Sequence, residues 1–336
     1  MEIIFICTDK KKIKEVYSEK ILSEISIFNI DNFIFTKQEL ESNPKITNDV
    51  KYIFSTWNMP EFSEDEIDKI FPNLKAVFYA AGTVKYFARP FLNKGIKVYS
   101  ASIANGVPVA EFTVAQIILA NKGYFQAMLK YRSFSSVFSY KKIRNISGEK
   151  SGNYNSIVGI IGGGAIGRKV VELLKAYDMK VYVSDPYISE EEISTWGANK
   201  VSLETIFKEC DVISNHLPDN AETQNVIDYS ILSLMKFNAT FINTGRGRQV
   251  VDKDLAKVMK EKPCACALLD VTRHEPLFPG HVLKRRKNIF ISPHIAGSMK
   301  NENQRLAEMM IKAYGDLLSN KDNMCEVTIE KLKRMA

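Results

Sequence analysis

Cysteine is scarce in this chain, with five residues among 336. So few cannot staple a fold of this length, and reduced thiols in the cytoplasm are the expectation. Long apolar runs are missing too. None is read as reaching the roughly 18 residues that a membrane helix needs, so no membrane partner is expected. The opening MEIIFICTDKKK puts its lysines after the apolar stretch, the reverse of a secretory signal. Charge of one sign is also modest: 46 Lys+Arg against 39 Asp+Glu leave a formal net charge of +7. The densest basic clusters, residues 10–14 and 284–287, lack the interleaved aromatics of a base-stacking surface, so no nucleic-acid partner is expected. Residues 10–14 are expected to cap the opening of a surface helix. What remains, 45% apolar and 25% charged residues, is an ordinary globular composition. The length suits about two domains, each burying its own core.

The first third alternates short apolar runs with polar stretches. EIIFIC (2–7), NFIF (32–35), YIFST (52–56), AVFYA (76–80) and KVYS (97–100) carry the β-branched and aromatic residues of strands. Helical spacing intervenes, as at Ile67, Ile70 and Phe71. Such alternation implies parallel strands joined by crossovers. The pattern then predicts one long helix over 108–131, with Pro108 in its first turn, where a missing N–H costs nothing. Residues 132–155 read as a loop or exposed arm. A second and more regular series follows: SIVGII (156–161), KVYVS (180–184), DVISN (211–215), TFIN (240–243), CALLD (266–270) and IFIS (289–292). A final amphipathic helix spans 303–318.

Within VGIIGGGAIG (158–167), Gly162, Gly164 and Gly167 form G-x-G-x-x-G between a strand and a helix. The first glycine permits a tight turn and the second admits a pyrophosphate. The third lets helix and strand pack, with phosphate at the helix N-terminus. Alone the pattern also fits a glycine turn without ligand. The next strand ends at Asp185, placed to hydrogen-bond an adenosine ribose and to repel a ribose phosphate, which favours NAD over NADP. The other reading of Asp185 is a turn former before Pro186.

Arg246 follows the strand TFIN, Glu275 follows CALLD and His294 follows IFIS. In an open parallel sheet, ligands sit beyond the C-terminal strand ends, so all three converge on the phosphate-loop edge. A guanidinium grips a carboxylate in a bidentate fork and polarises the adjacent carbonyl. Histidine can protonate an alkoxide as hydride arrives, and a neighbouring glutamate fixes its ring and favours its charged form. Singly, each fits a surface charge or a satisfied loop residue. Jointly they fit hydride transfer to a 2-oxo acid.

With these motifs in this order, the sequence resembles the D-isomer-specific 2-hydroxyacid dehydrogenases. VGIIGGGAIGR resembles the family's phosphate loop, implying cofactor contacts from Gly162, Gly164, Ala165, Ile166 and Gly167. SDPY resembles the ribose turn at Asp185. HLPDNAET (216–223) is similar to the segment closing over the nicotinamide side. It implies His216, acting through its backbone, with Leu217, Pro218 and Thr223. MKFNATFINTGRGRQVVD (235–252) resembles the arginine segment, implying Thr244 and Gly245 at the cofactor and Arg246 on substrate. LDVTRHEPL (269–277) and SPHIAG (292–297) resemble the carboxylate and acid/base segments. They imply Asp270 and Gly297 at the cofactor, with Glu275 and His294 catalytic. YAAGTVKYF (79–87) resembles the loop whose amides hold the substrate carboxylate, here Ala81, Gly82 and Thr83. The implied fold is α/β with two doubly wound domains. A Rossmann NAD-binding domain (108–296) is inserted into a discontinuous flavodoxin-like substrate domain (1–107 and 297–336). NAD, a small 2-oxo or 2-hydroxy acid and a second copy of the chain are the implied partners, with no metal.

The sequence also departs from the pattern. Thr83, Val84 and Lys85 follow Gly82 where the family usually has an Asp. Residues 132–155 lack its tryptophan-bearing segment, and no added regulatory domain is expected. His274 lacks the Pro-His context of an acid/base. Cys264 and Cys266 have no second pair to complete a zinc site and read as core residues. An NAD-binding sensor or protein-interaction module on the same fold is the competing reading, although it needs no Arg, Glu and His together. Formate oxidation would place Gln where Glu275 stands.

Overall fold

The computed structural model describes residues 1–27, 30–131, 140–148, 150 and 152–334. The chain forms two compact units, one of residues 1–106 with 298–336 and one of residues 107–297.

In the first unit, β1 (Ile3–Ile6), β2 (Ile34–Phe35), β3 (Tyr52–Ser55), β4 (Ala76–Tyr79) and β5 (Lys97–Ser100) pair in parallel in the order β5-β4-β3-β1-β2. That is the doubly wound order of a flavodoxin-like sheet. Register places Phe5, Phe54, Phe78 and Tyr99 side by side on four adjacent strands. Their rings stack at centroid separations of 5.5, 4.8 and 4.9 Å. Each such pair adds about 0.5–1.5 kcal/mol beyond area burial. The helix Glu302–Leu318 packs Leu306, Ala307 and Met310 onto this aromatic face.

In the second unit, the strands are β6 (Ile157–Ile161), β7 (Lys180–Ser184), β8 (Asn199–Lys200), β9 (Val212–Asn215), β10 (Thr240–Asn243), β11 (Cys266–Leu269) and β12 (Ile289–Ile291). All pair in parallel in the order β12-β11-β10-β9-β6-β7-β8. The order reverses between β6 and β9, so a crevice opens beyond the C-terminal ends of those two strands. Apolar clusters cover both faces, which is why the strands read as continuous apolar runs.

Several local expectations are corrected. The helix expected over 108–131 is two helices, Ser102–Asn121 and Tyr124–Tyr131, separated at Gly123 with φ +67°. Pro108 lies inside the first rather than in its opening turn. A proline there forfeits one i−4 hydrogen bond, and Ala110, Val114, Ile117 and Ala120 stabilise the helix by packing on the β6–β7 face. At 20 residues this helix is long and apolar enough to cross a membrane by length and composition, contrary to the sequence expectation, and half of the apolar window is buried. The arm expected at 132–155 contains the helix Tyr140–Gly148, while 132–139, 149 and 151 lie outside the described residues. Lysines 10–12 form the first turn of the helix Lys10–Val16, which Asp9 caps. An antiparallel edge strand, β13 (Glu326–Val327), joins β5 and carries no signal in so short a stretch.

Candidate active site

The glycine turn follows β6. Gly162 sits at φ +89°, the left-handed region that favours glycine. A side chain there would meet the His216 carbonyl at 2.9 Å, and one at Gly167 would meet the Gly162 carbonyl oxygen at 2.0 Å. A Cβ on Gly164 would meet nothing within 4 Å. Gly164 is also the N-cap of the helix Ala165–Leu174, and no side chain caps that helix. The open cradle with its unclaimed amides fits a phosphate. Asp185 closes the far side. Its carboxylate accepts from Gly163 N and from Tyr187 N, both at 2.8 Å. It therefore orders the turn, and it stands just past the end of β7 beside the glycine turn. Tyr187 reaches across to Glu222, its hydroxyl 2.8 Å from the carboxylate.

His216 is buried beside this turn. Its Nε2 lies 2.9 Å from Ser214 Oγ, while Nδ1 has no partner among the described residues. Burial alone pushes its pKa down to about 3, so the ring is neutral. Thr223 spends its hydroxyl on Pro218 O at 2.6 Å, which folds the loop after β9. Thr244 is buried with its hydroxyl 3.1 Å from that of Thr113.

Further along the same strand edge, Arg246, Glu275 and His294 line one cavity of about 310 Å³ with Asp219, Gly247, Arg248, Val271, Thr272 and Arg273. His294 Nδ1 lies 2.7 Å from Glu275 Oε2. The other oxygen, Glu275 Oε1, accepts from Thr272 N at 2.9 Å. The carboxylate is thus fixed at both ends, and His294 Nε2 is the ring atom left to meet a substrate. His294 holds φ +55°, an uncommon conformation for a side-chain-bearing residue that surrounding contacts must enforce. Asp270 supplies them. It is 2% exposed and accepts from Ser292 Oγ at 2.6 Å, Ile295 N at 2.9 Å and Ala296 N at 2.9 Å.

Arg246 is positioned by an amide network that the sequence did not advertise. Gln249 Oε1 accepts from Arg246 N at 3.2 Å and from Asn215 Nδ2 at 2.5 Å. Gln249 Nε2 donates to the carbonyls of Leu217 at 2.7 Å and Pro218 at 2.8 Å. Asn243 accepts from Gly245 N at 3.0 Å and donates to Arg246 O at 3.1 Å. Burial lowers the Arg246 pKa, countered by Asp219 and Glu275. Its guanidinium spends Nη1 on Gly245 O at 2.8 Å.

Residues 126–296, just over half of the chain, match the profile described as D-isomer specific 2-hydroxyacid dehydrogenase, NAD binding domain. The chain belongs to this 2-hydroxyacid dehydrogenase family. A glyoxylate reductase of Thermofilum pendens is 31% identical over 241 residues, 71% of this chain and 70% of that one. A glyoxylate reductase of Aeropyrum pernix is 40% identical over 152 residues, but the match spans only 45% of each chain. Against several curated relatives it spans about half of their length. In fold, the NAD-complexed D-isomer specific 2-hydroxyacid dehydrogenase of Lactobacillus delbrueckii ssp. bulgaricus superposes with TM-score 0.75 at 19% identity, covering 98% of this chain and 100% of that one.

Within this family member, Ala81, Gly82 and Thr83 belong to the first unit, in the loop after β4. Among the described residues the amides of Gly82 and Thr83 donate to no protein acceptor. Ser100 Oγ donates to Gly82 O at 2.6 Å and fixes the loop. His274 is exposed and Cys266 is buried, whereas Cys264 is only half-buried. No group of three or more potential metal ligands occurs among the described residues. Asn215, Asn243 and Gln249 were missed because buried amides carry no sequence pattern of their own. The one usable signal is that SN and IN end two of the core strands.

Proposed function

We propose that the chain is an NAD-dependent dehydrogenase reducing a small 2-oxo acid to its D-2-hydroxy acid. One observation carries the reading: a carboxylate-fixed histidine and a positioned arginine line one cavity, on the strand edge that also bears an open phosphate cradle. The Gly162–Gly167 turn and Asp185 would hold NADH, which when bound would supply the hydride. Arg246 binds the substrate carboxylate and polarises the carbonyl. His294 Nε2 delivers a proton to the forming alkoxide, and Glu275 holds the ring in place. Ala81, Gly82 and Thr83 are the loop assigned to the substrate carboxylate, with the amides of Gly82 and Thr83 as its donors because Ala81 N already donates to Tyr79 O at 2.9 Å. The assignment of Asp270 to the cofactor is extended: its carboxylate positions the His294 loop.

The test is NADH oxidation at neutral pH against glyoxylate, hydroxypyruvate, pyruvate, phosphohydroxypyruvate and branched-chain oxo acids, repeated with NADPH. Turnover with NADH preferred is the expected result. NADH binding without turnover of any acid would return weight to a sensor.

We also propose a homodimer formed through the second unit. Leu119, Tyr124, Met128, Tyr131 and Tyr140 are exposed at 37–56% along consecutive helices. Light scattering should report two chains in the wild type and a monomer for Met128→Glu.

A further inference from the structure

The cavity beside His294 holds two arginines besides the one assigned to the substrate carboxylate. Arg246, Arg248 and Arg273 line it, against Asp219 and Glu275. Glu275 is already committed to His294 and to Thr272 N. Among the described residues no ion pair within 4.0 Å joins the three guanidiniums to a carboxylate, while at longer range Asp219 and Glu275 act on Arg246 and Asp252 faces Arg273 electrostatically. Like charges gathered around one cavity repel, and an anion relieves that cost.

The convergence is built into the backbone. Gly247 lies so close to the neighbouring segment that a side chain there would meet the Thr272 carbonyl carbon at 2.0 Å. Residues 246–248 are therefore pressed against 272–273, and three arginines from two segments line the same cavity. Arg273 is preorganised by uncharged acceptors. Its Nη2 donates to Asn225 Oδ1, to Arg248 O at 3.2 Å and to Val250 O at 3.4 Å. None of these neutralises it. Arg248 is exposed, and its backbone is fixed by Asn225 N donating to its carbonyl at 3.0 Å.

We propose that Arg248 and Arg273 form a second anion subsite, so that the substrate is a 2-oxo acid bearing a further carboxylate or phosphate. Arg246 takes the carboxylate next to the reacting carbonyl, and the other two face the distal anion. Charge-assisted, forked hydrogen bonds give such a subsite its discrimination against an uncharged tail. This inference rests on the dehydrogenase reading above.

The experiment compares kcat/KM at saturating NADH for matched acids: 2-oxopentanoate with 2-oxoglutarate, and hydroxypyruvate with phosphohydroxypyruvate. In the wild type one dianionic member should be favoured by about tenfold or more, and which pair shows it separates carboxylate from phosphate. Arg248→Gln, at an exposed position, should lower that ratio about tenfold, and raised salt should lower it in the wild type. Arg273→Lys, which keeps charge but loses the fork, should lower it less. Equal use of both members of each pair, or a ratio unmoved by Arg248→Gln, would overturn the subsite and leave the dehydrogenase reading standing. No turnover of any oxo acid would instead remove that reading, and the subsite with it.

Discussion

His294 and Glu275, which end different strand–loop segments, meet at 2.7 Å between Nδ1 and Oε2. The contact leaves Nε2 as the ring nitrogen open to a substrate. His294→Ala should therefore lower turnover by about 10²–10⁴. Glu275→Gln, which keeps the contact but removes the charge, should cost less than removing the ring. NADH affinity, read by fluorescence titration, should stay near wild type in both. A large loss of NADH binding in either variant would show that the pair serves the cofactor rather than the proton.

Asp270 ties Ser292, Ile295 and Ala296 into one buried carboxylate. Asp270→Ala strands two backbone amides, each costly to bury unpaired. Unfolding stability should fall by about 2 kcal/mol or more, with turnover falling further than NADH affinity. Unchanged denaturant midpoint and turnover would contradict the clamp.

The three glycines separate by what a methyl would meet. Gly164→Ala faces open space, so the melting temperature should hold while NADH binds about tenfold more weakly. Gly167→Ala drives into the Gly162 carbonyl at 2.0 Å and should cost several degrees in Tm. The reverse pattern would mean that the cradle does not face a phosphate.

His216 is neutral and buried, with a folded pKa of about 3 against an ordinary 6.5. Between those values the unfolded chain binds one more proton, so stability is full above about pH 6.5 and falls as pH drops toward 3. The slope contributed is about 1.4 kcal/mol per pH unit. Chemical denaturation across that range should show a shallower dependence in His216→Asn. An identical slope in both proteins would show that His216 does not titrate this way.

Much of this arrangement was legible because parallel strands force it. Every strand of the second series points the same way, so residues that follow the strands must share an edge. That logic brought Arg246, Glu275 and His294 together from their positions alone. The supporting groups were not legible in the same way. Gln249 and Asn243 act through contacts between loops, and no spacing along the chain encodes which loops touch. β8 and β13 span two residues each, too short to show a period. Pro108 misplaced a helix start because tertiary packing outweighed its local cost. His281, paired with Asp252 at 3.4 Å, drew no notice for the same reason as the buried amides.

The most direct test of the central claim mixes NADH-loaded wild type and NADH-loaded His294→Asn with the best 2-oxo acid in a single turnover. The account predicts rapid loss of NADH absorbance in the wild type and a rate at least a hundredfold slower in the variant, with equal NADH occupancy at the start. Equal rates in the two proteins would contradict proton delivery by His294.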